Sequence, residues 1–239
     1  VMANLNSEFG RINSGTDFRY YPGSLDEVRI WDDARTVTEI RTNMHKKLTG
    51  GESNLTAYYS FDNVITCNGS AGEIEDETAN TNDGTCVNME NGDVVTSTAP
   101  IGTSVTVNSA TAHQNASATI GDITFDDTPN MFDNSQDVYV SKIDNAPNVT
   151  TGITESNVHD EYRVINIFEN GGIAGTFSVT LTLPSPTANG NTVTLYSRNT
   201  GSIGSWSSEG SATASGGNVT FTGITGFFRQ HLHVVSVED

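Results

Sequence analysis

The stretch Phe177-Ser-Val-Thr-Leu-Thr-Leu183 decides the class of fold. Phe177, Val179, Leu181 and Leu183 alternate with Ser178, Thr180 and Thr182. A period of two puts every apolar side chain on one face of a strand and every hydroxyl on the other. The same period runs through Leu55, Ala57, Tyr59 and Phe61, set against Thr56, Tyr58 and Ser60, and through Val219 and Phe221, set against Thr220 and Thr222. Shorter strand candidates lie at 27–31, 104–108, 118–125, 137–143, 161–168, 192–197 and 231–237. Turn clusters such as Ala188-Asn-Gly-Asn191 and Ser215-Gly-Gly-Asn218 separate them. The whole pattern predicts an all-β chain of sandwich type.

One segment departs from it. Thr36-Val-Thr-Glu39 reads as a capping box, in which the Thr36 hydroxyl accepts from the Glu39 amide and the Glu39 carboxylate reaches back. Val37, Ile40, Met44 and Leu48 then form a helical stripe. His45, Lys46 and Lys47 fall where positive charge suits a helix C-terminus, and Gly50-Gly51 marks the end. The expected boundary between two modules lies near Ala99-Pro-Ile-Gly102, giving residues 1–101 and 102–239.

Composition agrees with short strands and polar turns: 35% of the 239 residues are hydrophobic, 17% are charged, and 23 are glycine. The formal net charge of −18 repels phosphate backbones and anionic membrane surfaces, so nucleic acid is not an expected partner. No apolar run approaches the ~18 residues of a membrane-spanning helix, so no membrane insertion is expected. Cys67 and Cys86 do not form a CxxC pair. Two states suit them: a bridge in an oxidising compartment, or two reduced, half-buried thiols.

Gly23-Ser-Leu-Asp-Glu-Val-Arg-Ile-Trp31, followed by Asp32-Asp-Ala-Arg35 and the capped helix, resembles the laminin-G-like or concanavalin-A-like (pentraxin-type) jelly roll of secreted bacterial proteins. Leu55-Thr-Ala-Tyr-Tyr-Ser-Phe-Asp62, Ile74-Glu-Asp76 and Asn80-Thr-Asn-Asp-Gly-Thr85 continue the resemblance. It implies that residues 1–101 are the C-terminal part of such a domain. The strands that complete the jelly roll would then come from an upstream part of the same polypeptide or from another subunit.

Glu161-Tyr-Arg-Val-Ile-Asn166, Thr176–Pro184, Val193-Thr-Leu-Tyr-Ser-Arg198, Ser205-Trp206 and Val219–Phe227 follow in an order similar to the Ig-like β-sandwich of Bacteroidota surface proteins that use type IX secretion. This implies an Ig-like sandwich over 102–239 and an extracellular or cell-surface location. The expected fold is thus all-β: a partial laminin-G-like jelly roll with one short helix, plus an Ig-like β-sandwich.

Several groups are candidates for chemistry. Asp76, Asn80, Asn82 and Asp83 offer hard oxygen atoms in a loop that Gly84 lets turn tightly, which suits Ca2+. The resemblance adds weight, because laminin-G-like domains often carry calcium in this neighbourhood. Asp122, Asp126, Asp127, Asp133 and Asp137 form a second acidic cluster, read either as a cation site or as a solvated loop. His231 and His233 point to the same side of a strand but have no evident third ligand. Glu73-Ile-Glu-Asp-Glu-Thr78 looks like the Glu-x-Asp-x-x-Glu of some jelly-roll glucanases. However, Glu75 stands where Asp is needed and Thr78 replaces the last Glu, so an acidic turn is expected and no catalytic residue is named.

Tyr20 and Tyr21, before the Pro22-Gly23 turn, are candidates for stacking on sugars. Trp31 is expected in the core. Trp206, among Ser and Gly, is read either as exposed or as covering the end of its own sandwich. The resulting expectation is a non-catalytic adhesion region recognising a glycan, with calcium as its cofactor. The alternatives are a structural spacer of a large adhesin or gliding-motility protein, and an accessory region of a polysaccharide-degrading enzyme.

Overall fold

The computed structural model describes residues 8–13, 18–69, 71–112, 118–127, 136–168, 178–185, 187–199, 205–225 and 230–237. The chain is all-β with one short helix and divides into two compact units. The first comprises 1–34 and 48–95, the second 35–47 and 96–239. The helical segment therefore groups with the second unit, not with the flanking strands of the first as the sequence pattern suggests.

In the first unit, β1 (Arg11–Asn13) pairs with β2 (Phe18–Tyr20), and β3 (Val28–Trp31) pairs with β4 (Leu55–Tyr59). A third small sheet holds β5 (Val64–Asn68), β6 (Ala71–Ile74) and β7 (Gly84–Thr85). All pairings are antiparallel. Tyr58, Leu48 and Leu55 form a small core with Trp31 packed on its side, so Trp31 is half-buried. Cys67 and Cys86 are joined, Cα atoms 5.6 Å apart, and both are buried. Gly50 lies at φ +80°, and a Cβ there would stand 2.0 Å from the Glu77 carbonyl oxygen, so no other residue fits.

The second unit is built on two sheets. The six-stranded one runs β15 (Ser207–Thr213), β14 (Thr192–Asn199), β17 (Gln230–Val237), β12 (Asn157–Phe168), β11 (Gln136–Ile143) and β8 (Val105–Ala112). The four-stranded one runs β16 (Asn218–Thr225), β13 (Ser178–Pro184), β10 (Ile123–Asp127) and β9 (Ala118–Ile120). The span 118–125, expected as one strand, is a hairpin that turns at Gly121, whose φ is +65°. Between the sheets lies one core: Leu181, Leu183, Val219, Phe221, Ile120 and Ile123 from the smaller sheet, with Val138, Val140, Ile165, Ile167, Val193 and Leu195 from the larger. Leu181, Leu183, Val219 and Phe221 are thus buried where period two places them, while Phe177 lies outside the described residues; in β4 the alternation fails, because Tyr58, expected on the wet face, is fully buried.

The larger sheet is buried on its second face too, since residues 162–167 of β12 are buried without interruption. Ile143, Tyr162, Val164, Tyr196 and Trp206 cluster there. Part of this face is covered by the segment that contains α1 (Val37–Asn43). The Thr36–Glu39 capping box forms: the Thr36 hydroxyl accepts from the Glu39 amide at 3.2 Å, and Glu39 accepts from the Thr36 amide at 2.8 Å.

The apolar stripe does not become the packed face. Val37 and Ile40 are 60% and 55% exposed, and Arg41 turns to the sheet instead. Its guanidinium lies 4.0 Å from the Phe168 ring centroid and pairs with Asp137 at 3.0 Å. The helix stops at Asn43 because the next residues bond outward: the Gly102 amide donates to His45 O, and the Lys47 amide donates to Gly102 O. His45 is buried, with Nε2 2.9 Å from the Asn166 amide nitrogen and Nδ1 3.0 Å from the Pro100 carbonyl. The amide nitrogen can only donate, so Nε2 accepts and Nδ1 carries the proton given to Pro100.

Replacing both Cys67 and Cys86 by Ser should lower the stability of the first unit by about 3 kcal/mol, the value for a closed loop of this length. Urea unfolding of wild type and the double variant, followed by proteolysis at sites in each unit, checks this. An unchanged midpoint for the first unit would contradict it.

Candidate functional site

The loop after β6 is organised around one carboxylate. Asp76 is buried. Its Oδ1 accepts from the Tyr58 and Thr78 amides, both at 3.0 Å, and its Oδ2 from the Asn82 amide at 3.0 Å and the Asn82 side-chain nitrogen at 3.2 Å. Burial pushes the Asp76 carboxyl up, but these donors together bring it below its ordinary value. Asp83 Oδ1 accepts from the Asp76 amide at 2.9 Å. Asn80 and Asn82 both direct their side-chain nitrogens at the Thr56 carbonyl, at 2.9 and 3.3 Å. Tyr59 closes the turn by donating to the Asn82 carbonyl at 2.6 Å.

The four expected calcium ligands are thus brought together, but as a hydrogen-bonded turn. Calcium needs six to eight oxygen ligands. Here amide N–H groups fill the acceptor positions of Asp76, where a cation would have to sit. The donor set does not fit the ion as it stands. Among the described residues, no group of three or more His, Cys, Asp or Glu side chains is placed to hold a metal.

Glu73, at the end of β6, hydrogen-bonds Asp83, and that bond together with the Asp83 charge raises its carboxyl. The rest of the glucanase-like stretch leads into the loop, and Glu77 bonds to Ser60.

The second acidic cluster is divided. Asp122 pairs with Arg163, and Asp137 with Arg41, so both are structural. The side chains of Asp126, Asp127 and Asp133 lie outside the described residues, as do His113 and the side chains of His231 and His233.

Of the aromatic candidates, Tyr20 and Tyr21 are 68% and 58% exposed. Tyr20 ends β2 opposite Arg11, and the Tyr21 amide donates to the Gly10 carbonyl at 2.9 Å, so the backbone of the pair is tied to β1. The Tyr21 ring lies over Gly23, where a Cβ would come within 2.7 Å of it. Trp206 is the opposite case: it is 2% exposed and donates Nε1–H to the Val149 carbonyl at 2.8 Å. It covers its own domain and offers no exposed face for stacking on a sugar.

A polar cluster that the sequence pattern did not single out lies under β3 and β4. Tyr58 donates to both Glu27 oxygens, at 2.7 and 2.8 Å, and Arg29 pairs with Glu27 at 2.7 Å. Glu27 is held at φ +54°, a conformation uncommon for a residue with a side chain. Burial raises its carboxyl despite Arg29 and Tyr58. No period-two pattern announces it, because Glu27 stands before β3 and leaves the strand conformation.

In comparisons with known protein families, curated proteins and solved structures, the chain matches none.

Asp76→Ala should strip four donors of a charged acceptor and lower the stability of the first unit by at least about 3 kcal/mol. Asp76→Asn isolates the charge. A carboxyl depressed in the folded state stabilises at pH above its unfolded value, 3.8, and this contribution is lost as pH falls through the folded value. The stability difference between wild type and Asp76→Asn should therefore be large at pH 7 and shrink below about pH 4. Urea unfolding at pH 7 and pH 3 measures it, and a difference that does not shrink would contradict this role.

Proposed function

We propose that this chain is a non-catalytic binding region of a secreted bacterial surface protein and that its ligand is a neutral glycan. The observation that carries this reading is the exposed Tyr20–Tyr21 pair, whose backbone is fixed to β1 and whose second ring is seated on Gly23. Aromatic faces beside polar groups are what stacking on pyranose C–H bonds requires. A net charge of −18 favours a neutral ligand over an anionic polymer. The Cys67–Cys86 bridge suits an extracellular or cell-surface location.

The laminin-G-like reading of 1–101 and the Ig-like reading of 102–239 belong to the same proposal, with type IX secretion as the export route. In the first unit, Phe9, Leu25, Ile30, Val87, Val94 and Val95 are exposed. These support a further layer, from upstream sequence of the same polypeptide or from another subunit, completing the jelly roll.

A structural spacer in a large adhesin is the second reading. It is favoured by Trp206 and the Asp76 turn, which are both consumed inside their own units. A polysaccharide pull-down separates the two. Wild type should bind, and Tyr20→Ala/Tyr21→Ala should bind at least tenfold more weakly with its stability changed by no more than about 0.5 kcal/mol, as expected for exposed sites. Full binding by the double variant would sink the tyrosine assignment, and no binding by wild type would leave the spacer. Hydrolysis of the polysaccharide would overturn the non-catalytic reading.

Calcium dependence is tested separately. Melting curves in excess calcium and in chelator should coincide, because the Asp76 turn is complete without an ion. A calcium site filled at a hundredfold excess over Kd would instead add about 2.7 kcal/mol.

A further inference from the structure

Two arginines are buried in the six-stranded sheet, on opposite faces, and their surroundings differ. Arg163 of β12 is 1% exposed. Its Nε lies 3.1 Å from both Asp122 oxygens, and its Nη2 pairs with Asp122 and with Glu161, the latter at 2.7 Å. Arg198 of β14 is 5% exposed. Its Nη2 donates to the Thr98 carbonyl at 3.2 Å, and its guanidinium carbon stands 4.7 Å from the Trp206 ring centroid. Its Nε and Nη1 are buried and have no hydrogen-bond acceptor among the described residues. Among the described residues, no carboxylate pairs with it.

A guanidinium keeps its proton, so this is a buried positive charge that has, among the described residues, no counter-charge and two free donors. Tyr162 stands near it but cannot supply the counter-charge: burial pushes its phenol far above the ordinary value, so it stays neutral. A carbonyl and an aromatic face offset part of the lost hydration, not all of it.

We propose that Arg198 is an anion site, and that the anion is a small carboxylate accepting from its free N–H donors beside the Trp206 indole. Guanidinium donors match carboxylate oxygens. The neighbouring Ile143, Tyr162, Val164 and Tyr196 form a largely apolar cluster with Trp206, which suits an organic acid better than a strongly hydrated inorganic ion. The net charge of −18 opposes multiply charged anions and leaves a monoanion as the fitting class. The site is independent of the glycan reading, since Tyr20 and Tyr21 lie in the other unit.

The test uses sodium acetate titrated into the full chain, with sodium chloride keeping ionic strength constant. Tryptophan emission and melting temperature are followed. Wild type should give a saturable emission change and a rise in melting temperature with acetate. Arg198→Met should give neither, and should melt no lower than wild type in the absence of acetate, because the buried charge is gone. Equal responses in wild type and variant, or no response in wild type, would overturn the site. An equal response to chloride would overturn the carboxylate assignment. Should Arg198→Met fail to fold, Arg198→Lys keeps the charge and loses the planar donors. Its acetate response should then be at least tenfold weaker, and an unchanged one would overturn the proposal.

Discussion

A sheet that is apolar on both faces needs two covers, and the rest of the second unit follows from that requirement. One face of the six-stranded sheet meets the four-stranded sheet across a continuous core. The other carries Tyr162, Val164, Tyr196 and the polar Asn166 and Arg198, which no second sheet among the described elements reaches. Non-strand segments take its place. Residues 35–47 bring His45 to Asn166 and Arg41 to Phe168, the segment near 98–102 supplies carbonyls, and Trp206 lies against Arg198 with its N–H on Val149. Irregular backbone can cover a face only if its polar groups find partners, and these are the partners. The shortness of the helix has the same origin: its C-terminal continuation donates to and accepts from Gly102 instead of from its own turn.

How far this could be read from the sequence depends on the kind of information. Alternation is local and was legible: Leu181, Leu183, Val219 and Phe221 are all buried where period two places them. The capping box was legible for the same reason, because its atoms lie within four residues. The helix stripe failed. Val37 and Ile40 have the right spacing, but spacing cannot say which side of a two-turn helix will dock. The docking side was chosen by Arg41, whose guanidinium lies over the Tyr139 and Phe168 rings. Trp206 shows the same limit. Its Ser- and Gly-rich neighbours say only that the chain nearby is polar, while its burial depends on Val149 and Arg198, both distant or on another strand. The hairpin at Gly121 has the sequence pattern of an unbroken strand, because Gly121-Asp122 sits between two apolar runs in the correct phase.

Charge in this molecule is arranged more sparingly than its excess of acid suggests. Asp122, Glu161 and Asp137 are each paired with an arginine, and Lys142 pairs with Glu161 at 2.8 Å. Paired exposed charges contribute little, about 0–1 kcal/mol. The Arg163 group is different, because its guanidinium is almost fully enclosed, and removing both of its carboxylate partners would leave a buried charge at a cost of about 3–5 kcal/mol. Among the described residues, Arg198 has no carboxylate partner at all. An indole face offsets about 2 kcal/mol or more of such a charge when water is excluded, which is part of the lost hydration.

The Asp76 turn shows why an acidic, asparagine-rich loop need not be a metal site. A carboxylate has about four acceptor positions, and a loop that must reverse direction within a few residues leaves amide N–H groups without strand partners. One solution is a cation that binds the carbonyls and carboxylates of the loop. Another is a carboxylate that binds the N–H groups. The two place opposite charges at the centre of the turn, so a loop built for one cannot serve the other without turning its peptide groups over. Tyr58, Thr78 and Asn82 all point N–H at Asp76, and the side-chain nitrogens of Asn80 and Asn82 point at Thr56. In this turn the charge at the centre is negative and belongs to the protein itself. Composition alone does not distinguish the two solutions; the direction of the peptide groups does.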